Sequence, residues 1–126
     1  DRRRLLITQP NPDESIDYLV LLNGRIKQSQ SGPIDVKINY VPDRQIIEAT
    51  SLSIYFDTVG TEMFPSTENA GILLLDDINN ELVPRWIQIT VSQKFSVDDF
   101  THLHESRFQD SQPNWSNSQL LRSIGQ

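Results

Sequence analysis

One stretch of this chain is punctuated as a helix at both ends, and it stands between runs of a different period. Pro65, Ser66 and Thr67 supply start signals, Leu74, Ile78 and Leu82 recur on one face, and Pro84 stops the run, so the spacing predicts a helix over 67–82. Before it, 16–23 (IDYLVLLN) is apolar on both faces. Residues 35–41 (DVKINYV) place Val36, Ile38 and Tyr40 on one side and Lys37 and Asn39 on the other. After it, Ile87, Ile89 and Val91 alternate with Gln88, Thr90 and Ser92, and 100–105 forms a shorter alternating run. Four strands are therefore expected. The first two are joined by GRIKQSQSGP, a polar connection closed by Gly32-Pro33 and long enough to serve as a binding loop. After a turn at Pro42-Asp43, segment 46–59 reads two ways: Leu52, Tyr55, Phe56 and Val59 fall at helical spacing, whereas its β-branched and aromatic content favours a strand. The order strand, strand, helical region, helix, strand, strand describes an α+β domain with helices on one face of an antiparallel sheet.

Composition narrows the function classes. A chain of 126 residues closes one core without disulfide or metal staples, so one domain is expected. The net charge is −6 and the only basic cluster is Arg2-Arg3-Arg4, read as a solvated terminus; an acidic chain of this kind lacks the basic surface that DNA requires. Cysteine is absent, which removes disulfides, thiolate metal sites and a cysteine nucleophile. The longest apolar runs, 18–22 and 72–75, are far shorter than the about 20 residues that cross a bilayer, so no membrane partner is expected and the protein is read as cytoplasmic. The chain begins at Asp1 rather than Met, which leaves room for a trimmed or processed segment. Residues 108–126 form a polar tail with only Trp115 and Leu120, Leu121 and Ile124 to dock it.

The blocks NPDESIDY, YVPDRQIIEATSLSIY and LLDDINNELVPRWIQI resemble three consecutive blocks of the QueF nitrile reductases. These are relatives of GTP cyclohydrolase I that share the tunnelling fold (T-fold) and reduce 7-cyano-7-deazaguanine (preQ0) with NADPH in queuosine biosynthesis. The resemblance implies a T-fold: a four-stranded antiparallel sheet with two helices on one face (ββααββ), assembling into an oligomeric barrel with ligand sites at subunit interfaces. It makes 46–59 helical and divides the chain into a 1–10 extension, an 11–107 domain and a 108–126 tail.

Carried over residue by residue, the resemblance keeps the fold and loses most of the chemistry. The family's nucleophilic cysteine aligns with Gln28, an amide that cannot attack a nitrile. Asp35 falls on the general acid. The family's Phe-His-Glu triplet lands on Ser66-Thr67-Glu68, so Thr67 replaces the histidine, while Glu68 keeps the carboxylate that grips the guanine-like edge through two parallel N–H bonds. The lysines that hold the cofactor become Thr50 and Ser53, although Glu48 and Ser51 stay in place as substrate-side positions. No cofactor is then expected, NADPH included.

Each of these residues also has a plainer reading. Glu68 suits the first turn of a helix through its dipole, and Asp35 suits a strand entry. Asp76 and Asp77 read as a solvated helix face or local ion-pair partners. His102 and His104 share one side of a strand but lack a third ligand, so no metal is expected, and Trp86 reads as core. The leading reading is a QueF-like T-fold protein without nitrile reduction that binds a purine- or pterin-type base, or acts as an oligomeric interaction module whose tail meets a protein partner. The alternative is a T-fold enzyme on a pterin or 7-deazaguanine substrate, including preQ0 reduction completed by a cysteine-bearing partner subunit.

Overall fold

The computed structural model describes residues 2–27, 32–62 and 64–124. In chain order these form a 3-10 helix (Arg2–Leu5), β1 (Thr8–Pro10), β2 (Val20–Ile26), β3 (Ile34–Val41), β4 (Gln45–Ile47), α1 (Ser51–Val59), α2 (Thr67–Leu82), β5 (Trp86–Val97), β6 (Phe100–Ser111), α3 (Ser118–Leu121) and a second 3-10 turn (Arg122–Ile124). Strands β2, β3, β5 and β6 build one antiparallel sheet in the order β2-β3-β5-β6, and β1 pairs with β4 in a two-stranded ribbon. The main elements follow the expected ββααββ order with α1 and α2 on one face, the layout of a T-fold.

The core lies between that face and the helices. Val36, Ile38 and Tyr40 of β3 pair in register with Val91, Ile89 and Ile87 of β5, and all six are buried beneath Leu52, Tyr55 and Phe56 of α1 and Leu74 and Ile78 of α2. Each fully buried aliphatic side chain contributes about 1.5–3 kcal/mol, so this layer dominates stability. The ring of Phe56 lies against Gly24 of β2, where an added Cβ would stand 2.2 Å from it; the helix approaches the strand this closely only over glycine.

Local chemistry accounts for the helix ends. Ser66 caps α2, its hydroxyl accepting from Asn69 N at 3.2 Å, and Val83 in left-handed conformation followed by Pro84 ends it, in agreement with the span predicted from spacing. Segment 46–59 divides. Residues 45–47 pair with β1, and the helix starts at Ser51, with Ser51 N and Oγ both donating to Glu48 O at 3.1 and 2.7 Å.

Three further expectations are corrected. The first strand begins at Val20 rather than at 16, because Ile16 O and the Asp17 carboxylate are bound by Arg85 instead of by a neighbouring strand. The last strand runs to Ser111, four residues into the expected tail. Its outer half offers only Phe108 as an apolar residue facing α2, so no alternation announces it. Trp86 is buried as expected, on the sheet face away from the helices, where it shares a cavity with Trp115 and Leu121 of the tail. Arg2 and Arg3 are not solvated: both reach the fully buried carboxylate of Asp77, 75 and 74 residues away, at 2.6 and 2.8 Å.

The three blocks carrying the family resemblance meet around Arg85. Its guanidinium binds Asp17 at 3.0 Å, Asp43 at 3.3 Å and the carbonyls of Glu14 and Ile16. Asn11 donates to Asp43 O at 2.7 Å and accepts from Tyr18 Oη at 2.6 Å. The tail docks on the same cluster, Trp115 Nε1 and Asn117 Nδ2 each donating to Asp17 Oδ2 at 3.1 Å. No helix among the described residues is long and apolar enough to cross a membrane.

Candidate functional site

Glu68 stands in the first turn of α2, where the helix dipole favours a negative charge, and faces the side of β6 that carries even-numbered residues. His104 Nε2 lies 2.5 Å from its Oε2, and Ser106 Oγ donates to the same oxygen at 2.9 Å. These bonds, the histidine's first, hold the Glu68 carboxyl below the usual carboxylate range, so it is charged at neutral pH while remaining 43% exposed. Further rings lie along the same hairpin face as His104. Phe95 meets His104 edge-on at 6.2 Å, and the 69% exposed Phe100 stacks on His102 at 6.4 Å, so one face of the β5–β6 hairpin presents aromatic surface beside an accessible carboxylate.

The residue before it has a different role. Thr67 is buried, and its hydroxyl donates to Gln93 Oε1 at 2.5 Å, while Gln93 Nε2 donates to Gly32 O at 3.1 Å. This chain links the start of α2 to β5 and to the end of the β2–β3 loop. Gln28, the cysteine position of the resemblance, lies outside the described residues.

Asp35 is elsewhere. Side chains alternate across a strand, and Ile34, Val36, Ile38 and Tyr40 enter the core beneath the helices, so Asp35 points to the opposite face. There it accepts from its register partner Arg25 at 2.7 Å in a half-exposed cross-strand pair. A single chain therefore does not bring Asp35 and Glu68 to one ligand. Glu48 and Ser51 are also apart from Glu68, at the start of α1: the Glu48 carboxylate accepts from Thr50 N at 3.1 Å and from the Thr50 hydroxyl, which hold it below the usual range, and Ser51 Oγ accepts from Ile7 N at 3.2 Å. As placed, this pair starts a helix and ties the N-terminal segment to it.

Between β2 and α1 runs a groove of about 190 Å³ lined by Arg25, Lys27, Ala49, Ser53, Phe56 and Asp57. Among the described residues no group of three His, Cys, Asp or Glu side chains is placed to hold a metal ion.

The sequence is 30% identical over 95 residues to an NADPH-dependent 7-cyano-7-deazaguanine reductase from Syntrophus aciditrophicus (strain SB), covering 71% of this chain and 67% of that protein. This chain belongs to the 7-cyano-7-deazaguanine reductase family. No protein-family model matches it.

The relative's name carries NADPH, and the groove beside α1 offers little to hold such a group's phosphates. A 2′-phosphate and a pyrophosphate need cationic donors. Thr50 and Ser53 stand where the family resemblance has lysines, the Thr50 hydroxyl is bound to Glu48, Arg25 is engaged by Asp35, and Asp57 adds negative charge. Lys27 is the remaining cation among the described residues lining the groove.

Glu68 and His104 were both legible as candidates in the sequence, whereas Ser106 was not. His104 and Ser106 lie 36 and 38 residues from Glu68, and only the extension of β6 beneath α2 joins them. The alternation of His102, His104 and Ser106 was the available signal.

Proposed function

We propose that this chain is a reductase-family protein that has lost nitrile reduction and binds a purine- or pterin-type base through Glu68, within a homo-oligomer in the cytoplasm. The observation that carries the reading is the Glu68 carboxylate itself: charged, partly exposed, on a rigid helix N-terminus and next to the rings of Phe95 and His104. A carboxylate of this kind accepts two N–H groups from a 2-amino-lactam edge, and the Phe95 ring offers the planar base an apolar face. Gln28, Thr67, Thr50 and Ser53 argue against covalent nitrile chemistry with NADPH, since none is a thiolate, an imidazole or a cation.

The position of Asp35 on the opposite sheet face favours a site completed across subunits, with Asp35 of one copy meeting Glu68 of another. A ligand held at such a junction would couple binding to assembly.

Titration calorimetry with preQ0, guanine and a reduced pterin tests the reading. Binding of at least one of them, reduced about tenfold or more in Glu68→Ala, is expected, as the loss of a bidentate charged contact costs more than 1.4 kcal/mol. NADPH with preQ0 should show no oxidation. Heat that is identical in wild type and Glu68→Ala, or turnover of NADPH by the chain alone, contradicts the proposal.

A further inference from the structure

Resting on the reading of Glu68 as the base anchor, we infer that His104 is a displaceable partner of that carboxylate, occupying an acceptor position the ligand needs and so making ligand binding pH-dependent. A carboxylate oxygen offers about two lone-pair positions. On Glu68 both positions of Oε2 are taken, by His104 Nε2 at 2.5 Å and Ser106 Oγ at 2.9 Å. A 2-amino-lactam edge donates one N–H to each carboxylate oxygen, so one of the two residents must leave when it binds.

His104 is the one placed to leave. It lies 48% exposed on an edge strand, with the Phe95 ring against it edge-on, whereas Ser106 is half-buried farther under α2. The surroundings make its charge the controlling variable. On α2 the charged group facing it is Glu68; across on β5 its register partner is the uncharged Gln93, flanked by Phe95; along β6 the same face carries His102 and Ser106, while Leu103 and Glu105 alternate to the other side with Lys94. A protonated imidazole makes a charge-assisted bond to the carboxylate and competes strongly with a neutral ligand; a neutral imidazole competes weakly. The bound base therefore trades against the proton on His104.

The position next to Glu68 on α2 is Thr67, turned inward to Gln93, so the imidazole beside this carboxylate comes from β6 instead.

Equilibrium dialysis of radiolabelled guanine against the full chain, at about pH 5 and about pH 8, spans the imidazole range while guanine stays neutral. Wild type should bind about tenfold more weakly at the lower pH, the change that corresponds to one unit of proton coupling. His104→Ala should bind equally at both, and at the lower pH more tightly than wild type. Binding weakened by His104→Ala, or an unchanged pH slope in that variant, overturns the inference while leaving Glu68 as the anchor. Guanine binding that survives Glu68→Ala overturns the anchor reading itself. Should guanine not bind at all, the anchor reading falls and the inference falls with it.

Discussion

Asp77 is the one carboxylate among the described residues with a fully buried side chain, and its environment dictates how the fold responds to acid. Burial alone would push its carboxyl up, but hydrogen bonds from Arg2, Arg3 and Tyr55 outweigh that and hold it below the usual range. The same contact pushes the Tyr55 hydroxyl up, after burial, so that it stays a donor. A carboxyl with a depressed folded-state pKa contributes stability that is present above its unfolded value, about 4, and is lost as pH falls through the folded value. Replacing both Arg2 and Arg3 by Ala leaves the charge buried against Tyr55 alone, and the expected cost is about 3 kcal/mol at neutral pH. Urea unfolding as a function of pH checks this: the gap between wild type and the double variant should narrow as pH falls through the carboxylate range and close only below the depressed folded-state value of wild-type Asp77, where the carboxyl is protonated in both. A gap that stays constant with pH would place the arginines' contribution in packing and not in the ion pairs.

At the level of elements, α2 and β6 show what the sequence carries and what it withholds. The helix was legible because Ser66 and Pro84 bracket it and Leu74, Ile78 and Leu82 mark its buried face. The strand beneath it was legible only in its first half, since 106–111 is polar apart from Phe108, whose ring is accommodated by Gly71 on the helix. That pairing is a tertiary fact with no local signature, as are the Arg2 and Arg3 contacts to Asp77 and the His104 contact to Glu68. Gly71→Ala makes it measurable. Helix propensity favours the alanine by about 1 kcal/mol, but its Cβ would stand 2.4 Å from Phe108 and 3.1 Å from Val91, and overpacking of this kind costs about 1–3 kcal/mol. The net expectation is a loss of about 1 kcal/mol in wild type and a gain of similar size in a Phe108→Ala background, read from denaturant midpoints. A stabilising Gly71→Ala in wild type would mean that α2 rides higher over β6 than described.

Among the described residues no strand pairs with either edge of the main sheet, β2 or β6, and an uncovered edge is a template for pairing with another chain. Large apolar residues are exposed along them: Leu21 on β2 at 56%, Phe100 and Leu103 on β6 at 69% and 65%. The Arg85 cluster, in contrast, closes the opposite end of the sheet by joining three chain segments and the tail, so the molecule is finished at one end and open along its sides. With Asp35 and Glu68 on different faces, assembly through these edges is also the route by which the two acids would meet. Light scattering should return a mass that is a multiple of 14.5 kDa. Phe100→Lys combined with Leu103→Lys puts charge on both faces of the β6 edge and should shift the protein toward smaller species, because charged edge strands resist pairing. The paired variant should keep its circular dichroism, as neither side chain belongs to the core. If the oligomer is real and carries the ligand site, guanine affinity should fall together with the mass. A wild-type monomer that binds guanine through Glu68 would instead place the whole site within one chain and leave Asp35 as a cross-strand partner of Arg25.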